Sequence, residues 1–367
     1  MHTEHYDVVV IGGGQAGLAI GYHLAQQGRS FTILDASAAP AAAWRSRWDS
    51  LRLFTPVRYD SLPGLAFPGD PDHYPSRDDV VSYLADYAQH FALPVELDSR
   101  VERLHADTGG GYRMELADRT LHADRVVVAT GPFQTPRLPA IAGQLAGDVA
   151  QIHSADYRTP ADLPAGRVLV VGGGNTGFQI ADELTASRDV HLAVGSRQTP
   201  LPQRILGRDL FRFLEATRLM RATVTSRIGQ RLKDREALIG SSPRAARKAG
   251  ITVHARATDA AGSVVTFADG GRLDVDAVIW ATGFERDYRW IDAPVFDDRG
   301  EVVHQRGVTA VPGLYFLGMP WQHTRGSALL GWVKDDAEHI ARHIQAHADR
   351  RPSSDRGADV RMPAHPV

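Results

Sequence analysis

The sequence predicts an α/β protein: two Rossmann-like dinucleotide-binding domains with parallel sheets, the second inserted into the first. Three observations point there. Two glycine fingerprints, Gly12-Gly13-Gly14-Gln15-Ala16-Gly17 and Gly172-Gly173-Gly174-Asn175-Thr176-Gly177, each follow a β-branched run and start 160 residues apart. An apolar run ending in Ala-Thr-Gly occurs twice, at 126–131 and 277–283. A further strand-like run at 313–318 follows both and is expected to return to the first domain.

The run Tyr6-Asp7-Val8-Val9-Val10-Ile11 predicts a buried strand, and Ala16, Ala19, Ile20 and Leu24 recur at the spacing of a helix packed on a sheet. Gly28 stops that helix, and Phe31-Thr32-Ile33-Leu34 predicts the next strand, ending in Asp35. Strand, glycine turn and helix in that order give the fingerprint its meaning. Gly12 permits the tight turn, Gly14 lets a pyrophosphate approach the backbone, and Gly17 allows close helix–strand packing. The free N–H groups and positive dipole end of the helix face the phosphates.

The second copy repeats the pattern with the strand 168–171, the stripe Gly177, Ile180, Ala181 and Leu184, and the strand 190–194. The two copies differ where the ribose would lie. Asp35 stands 23 residues after Gly12, whereas the same count from Gly172 reaches Gly195, followed by Ser196 and Arg197. A carboxylate binds ribose hydroxyls and repels a 2′-phosphate, while Ser and Arg attract one. The first domain is therefore expected to take FAD and the second NADPH. The expected boundaries are 1–160 with 284–347 for the FAD domain and 161–283 for the NADPH domain. Linkers rich in Pro and Gly lie at 131–147 and 159–166, and a polar tail at 348–367 is expected to be disordered.

Composition narrows the chemistry. The absence of cysteine excludes a disulfide framework, a thiolate metal site, a cysteine nucleophile and a dithiol electron relay. A formal net charge of -2 offers no general field for nucleic acid. No apolar run is long enough to span a bilayer, and the polar start of the chain does not read as a secretory signal. A cytoplasmic protein is expected, with no indication of oligomeric state. The Arg- and Lys-rich stretch 218–248 reads as a solvated helical surface, with an acidic partner or a membrane surface as the alternative. His339, His343 and His347 fall at i, i+4 and i+8 without companion carboxylates, so no metal site is expected.

Further landmarks carry a family likeness. They are Trp44-Arg45, the segment Trp48-Asp49-Ser50-Leu51-Arg52-Leu53, Phe67-Pro68, Tyr74-Pro75 and the run 83–91. Between the nucleotide motifs, Leu145-Ala146-Gly147 is followed after five residues by His153-Ser154-Ala155-Asp156-Tyr157-Arg158. With the two fingerprints, these residues resemble the class B flavoprotein monooxygenases: flavin-containing monooxygenases, the plant YUCCA type and related bacterial flavoproteins. The likeness extends to about Ala346. Its Phe-x-Gly-x3-His-x3-Tyr/Phe hallmark is matched from His153 to Tyr157, whereas the first half has Leu145 for Phe and two extra residues. Tyr157 stands where Baeyer–Villiger enzymes typically carry Trp.

The resemblance implies that Gln15, Ala16, Trp44, Arg45, Val101, Ala129, Thr130, Gly131 and Ser327 join Gly12, Gly14, Gly17 and Asp35 around FAD. It likewise implies Gly172, Gly174, Asn175, Thr176, Gly177, Ser196, Arg197, Ala281, Thr282 and Gly283 around NADPH. It places His153, Tyr157 and Arg158 at the domain interface and the 321–327 turn near the flavin ring. There His323 and Arg325 are the candidate catalytic groups, and Ser327 is expected to cap a helix over 328–346. Many flavin-containing monooxygenases carry an active-site Asn where this chain has Phe54; YUCCA-like proteins also lack it. The implied activity is FAD- and NADPH-dependent monooxygenation of a small organic substrate by molecular oxygen, through a C4a-(hydro)peroxyflavin. Two alternatives stay open: an NADPH-dependent reductase serving a quinone or protein partner, and a low-turnover flavoprotein redox sensor or accessory protein.

Overall fold

In the computed structural model, which describes residues 4–107, 110–233 and 237–348, uninterrupted apolar runs become strands buried on both faces. Of the expected tail, 349–367 lie outside the described residues. The elements of the two parallel sheets, in chain order, are β1 (Glu4–Ile11), α1 (Gln15–Gln26), β2 (Phe31–Leu34), β3 (Val95–Glu96), β4 (Thr120–Val128), β5 (Ala150–His153), β6 (Arg167–Val171), α2 (Asn175–Leu184), β7 (Asp189–Ala193), β8 (Thr252–His254), β9 (Ala277–Trp280), β10 (Leu314–Phe316) and α3 (Val333–Ala348).

The first sheet has the parallel order β3-β2-β1-β4-β10. The strand from 313–318 thus does come back, pairing Leu314, Tyr315 and Phe316 with Val126, Val127 and Val128. The first half of β4 instead pairs antiparallel with Tyr112–Leu116, which pairs in turn with Val101–Ala106. The helix α1 lies between this sheet and α3, where the Gln27 amide donates to the Ala341 carbonyl at 3.0 Å.

The second sheet repeats the plan in the order β8-β7-β6-β9-β5, again all parallel. Its edge strand β5 lies before residue 161, so the sheet border departs from the expected boundary. The reason is packing: Leu145 and Val149 are buried with Leu169, Val265 and Val278, a core belonging to the second sheet.

Two chain segments cross between the sheets, and they pair with each other. Thr135–Pro136 runs antiparallel to Phe284–Glu285. The C-terminal helix also differs from expectation. Residues Arg325–Ala328 form a 3-10 turn, and α3 starts only at Val333. A Cβ on Gly331 would stand 1.5 Å from the Tyr59 carbonyl oxygen, so this close approach holds the chain in a turn before the helix.

Candidate functional site: two dinucleotide turns joined by a hinge

The first fingerprint turns between β1 and α1. Gly12 has φ +113°, and a Cβ there would lie 2.5 Å from the Ala129 carbonyl oxygen. A Cβ on Gly17 would lie 1.9 Å from the Gly12 oxygen, whereas one on Gly14 would enter open space. The first intrahelical bond is Leu18 N–H to Gly14 C=O, so the N–H groups of Gln15, Ala16 and Gly17 precede the helical ladder. Two glycines forced by packing and one with room for a ligand beside its backbone fit a pyrophosphate on the helix N-terminus.

Asp35, at the end of β2, accepts from Gly13 N–H at 2.7 Å and Ser37 N–H at 2.9 Å. The adjacent backbone is tied to the strand containing Val101, because Ser99 N–H reaches the Asp35 carbonyl at 2.8 Å. Gln15 joins two distant pieces: its amide donates to the Ala328 carbonyl at 2.9 Å and its oxygen accepts from the Trp44 indole at 3.0 Å. Arg45, one residue on, is exposed.

The second fingerprint has the same construction. Gly172 has φ +141° and packs on the Ala281 carbonyl, and Gly177 packs on the Gly172 carbonyl. One expected ligand residue has a different contact: Asn175 holds the strand Ala237–Ile239, donating to the Ala237 carbonyl at 3.1 Å and accepting from Ile239 N–H at 2.9 Å. Thr176 follows it in the first turn of α2. Ser196 and Arg197 are exposed past the end of β7. Beside them stands Arg256, which sequence reasoning missed; its Nε and Nη2 donate to the Gly195 carbonyl at 3.1 and 2.6 Å. Its only sequence signal was a basic residue just after β8, the strand next to β7.

The Ala-Thr-Gly ends of β4 and β9 connect these turns. Ala129 packs on Gly12 and Ala281 on Gly172, and each chain then runs into the paired crossover. Gln134 donates to Thr130 Oγ1 and the Gly131 carbonyl, both at 2.9 Å, and accepts from Asp287 N–H. Arg137 Nη2 donates to the Thr282 carbonyl at 2.9 Å. His153, 5 % exposed, accepts from Ala155 N–H at Nδ1, which places its proton on Nε2 facing the Gly283 carbonyl at 3.1 Å. Burial pushes this imidazole below its ordinary pKa, and its ring meets Phe284 edge-on at 5.0 Å. Arg47 stacks over Phe133 at 4.3 Å and Phe284 at 5.3 Å, and burial lowers its pKa to about 10. Tyr157 is buried in the second domain, its hydroxyl donating to Glu183 at 2.8 Å. The Arg158 carbonyl accepts from Asp49 N–H at 2.9 Å, binding this segment back to the first domain.

An aromatic wall lies where the 199–239 segment meets the first domain. Phe54 stacks on Phe211 at 5.9 Å and Tyr59 on Trp332 at 5.7 Å. Next to it is a cavity of about 540 Å³ that includes Tyr59, Met220, Arg221, His323 and Trp332 in its lining. Burial and nearby Arg306 push the His323 imidazole below its ordinary pKa, favouring the neutral ring. Arg325 begins the 3-10 turn below it. Ser327 does not cap α3: Thr324 is the cap of the 3-10 turn, and the Ser327 hydroxyl accepts from His323 and Thr324 N–H, each at 3.0 Å. Under this floor Asp60 is 1 % exposed. Its carboxyl takes a 2.6 Å hydrogen bond from Thr55, and burial pushes its pKa up to about 8. Sequence reasoning missed the wall, since its four rings come from three distant segments.

Comparison with known proteins agrees with this double construction. Residues 9–318 match the family described as pyridine nucleotide-disulphide oxidoreductase. The chain belongs to that family. The oxidoreductase is 44% identical over 344 residues to "Uncharacterized oxidoreductase CzcO-like" of Geobacillus kaustophilus, covering 93% of this chain and 99% of that one. A solved flavin-containing monooxygenase from Stenotrophomonas maltophilia superposes with a TM-score of 0.79 at 32% identity, over 94% of this chain and 100% of that one. The probable indole-3-pyruvate monooxygenase YUCCA1 of Arabidopsis thaliana is 28% identical over 383 residues, 93% of this chain and 91% of its own. The oxidoreductase therefore stands in the class B flavoprotein monooxygenase superfamily, whose cofactors are FAD and NADPH. With no cysteine it lacks the dithiol that the family name evokes. Among the described residues no helix is long and apolar enough to cross a membrane, and no metal-binding cluster occurs.

Proposed function

We propose that this flavoprotein uses NADPH and molecular oxygen to oxygenate a small organic substrate admitted to the cavity beside His323. The observation that carries the reading is the direct path from each glycine turn, through Ala129–Gly131 and Ala281–Gly283, to a single paired hinge. This construction couples the two nucleotide sites mechanically. FAD, when bound, supplies the hydride acceptor and the site of oxygen chemistry. The protein positions both nucleotides, shields them from water and sets the local charge. Gly14 and the N–H groups of Gln15, Ala16 and Gly17 receive the FAD pyrophosphate, with Asp35 at its ribose. Ser196, Arg197 and Arg256 favour the 2′-phosphate of NADPH over NADH. Tyr59 and Trp332 of the aromatic wall give the substrate an apolar side within a largely charged lining, and the neutral His323 can accept or hold a proton there. Because the oxidising power resides in the cofactor, no nucleophilic side chain is required.

The decisive experiment measures NADPH consumed, hydrogen peroxide released and oxygenated product formed across a panel of nitrogen, sulfur and 2-oxo-acid substrates. A substrate that accelerates NADPH oxidation, with product matching NADPH and little peroxide, is the expected result. If peroxide equals NADPH for every substrate while quinones accelerate turnover, the protein is a reductase.

A further inference from the structure

The segment 204–233 carries charge and exposed apolar groups, and of its residues the proposed reaction uses only Glu215, Met220 and Arg221, at the cavity. Between residues 204 and 233 the chain has eight Arg or Lys and two acids, within a protein of formal net charge -2. All eight cations are exposed: Arg204, Arg208, Arg212, Arg218, Arg221, Arg227, Arg231 and Lys233. Both acids are engaged inward. Asp209 accepts from Phe211 N–H at 2.7 Å and from the Tyr74 hydroxyl at 2.6 Å, and Glu215 accepts from the Trp332 indole at 2.8 Å. The sorting leaves the cations exposed and both acids tied by hydrogen bonds to the protein.

Apolar groups stand among those cations. Arg204–Ile205 pairs antiparallel with Arg208–Asp209 as a two-residue hairpin. Its tip is Leu206, 94% exposed at φ +50°, followed by Gly207 at φ +76°. Such turns favour Asn or Asp before Gly, because an aliphatic side chain is strained at positive φ. A leucine held there in water satisfies neither the turn nor the core. Ile228, on the helix Arg227–Lys233 further along the chain, is 53% exposed. The segment is nevertheless anchored firmly: Leu210, Phe211 and Met220 are buried, and Val224 N–H donates to the His323 carbonyl at 2.7 Å.

We infer that the 204–233 face docks on an anionic lipid bilayer, its arginines on the headgroups and Leu206 inserted at the acyl boundary. Exposed cations alone suit any anionic partner. A projecting leucine between arginines is the arrangement that binds a membrane interface, where charge attraction and apolar burial add. An acidic protein partner is the competing occupant.

The test uses the FAD-loaded full chain with sedimented vesicles of phosphatidylcholine containing about a third phosphatidylglycerol. Binding is expected to weaken by at least about tenfold on pure phosphatidylcholine and in high salt. Leu206→Asn suits the turn better than leucine, so thermal midpoint and NADPH oxidation should hold while vesicle binding falls about tenfold, the loss of one buried leucine. Arg208→Gln with Arg212→Gln should reduce binding further and flatten its salt dependence. Equal binding by wild-type and Leu206→Asn would overturn insertion. Absence of vesicle binding, with tight salt-sensitive binding of poly-glutamate, would overturn the membrane and favour the acidic protein.

Discussion

At the scale of single residues, the glycines of one fingerprint separate into two physical kinds. Gly17 packs against backbone, since any Cβ would lie 1.9 Å from the Gly12 carbonyl oxygen; Gly14 has open space and an extended φ of −77° that any residue adopts. Gly14→Val should therefore give a folded, colourless protein with a near-normal far-ultraviolet dichroism spectrum, whereas Gly17→Ala should lose several kcal/mol of stability. Full flavin occupancy in Gly14→Val would remove the pyrophosphate from this turn. Asp60 gives a residue-scale prediction of another kind. Its pKa is raised from 3.8 to about 8 by burial, so the folded state binds the proton more tightly than the unfolded chain. Stability is then complete below about pH 4 for this group and falls by about 1.4 kcal/mol per pH unit up to its folded pKa. Asp60→Asn carries no titrating proton, so its stability relative to wild type should rise by a few kcal/mol between pH 5 and pH 8. Urea midpoints at the two pH values measure this; a difference that does not change with pH means the carboxyl titrates normally.

At the scale of elements, the hinge is the unit on which the proposed coupling of the two nucleotide sites rests. Its strands Thr135–Pro136 and Glu285 with Phe284 are only two residues long, so their pairing alone is weak, and the flanking contacts hold it. His153 grips Gly283, Phe284 packs on that imidazole, and Arg47 covers Phe284 and Phe133. His153→Ala should leave FAD bound and hydride still accepted, but loosen how the nicotinamide nucleotide sits between the domains. Peroxide yield per NADPH should therefore rise more than the rate of flavin reduction falls. Stopped-flow reduction and peroxide assay on one preparation check it, and slowed reduction at unchanged yield would assign the histidine to hydride transfer itself. The strand–turn–helix units were legible in the sequence because each is local: a β-branched run, glycines at fixed offsets and a helical stripe lie within about 30 residues. The edge strand β5 was not, because Ala150–His153 precedes β6 and joins its sheet only through β9, more than a hundred residues later. The side-chain contact of Asn175 was not legible for a related reason: its position marks a helix N-terminus, but a remote strand takes up its side chain.

At the scale of the molecule, the two domains share packing that no single fingerprint announces. Trp48 and Leu51, which precede the crossover, are buried in the second domain's core, and Trp44 and Leu53 pack against the cores of both domains. Arg256 and the aromatic wall escaped sequence reasoning because only this long-range assembly brings their parts together. The same interlock makes a prediction about unfolding. Separating the domains would expose two tryptophans and two leucines, each worth about 1.5–3 kcal/mol when fully buried, so neither domain gains by unfolding alone. Calorimetry should show one main transition. FAD binds only the folded first domain, and at a hundredfold excess over its dissociation constant it adds about 2.7 kcal/mol. If the domains unfold together, removing FAD lowers the whole transition by several degrees, and tryptophan fluorescence moves with it, because Trp280 lies in the second core. Two separate transitions, of which FAD shifts only one, would show that the shared tryptophans and leucines do not couple the domains. Trp48→Ala sharpens the comparison: it removes the anchor from the second core without touching either glycine turn, so it should split the transition while leaving FAD retention intact.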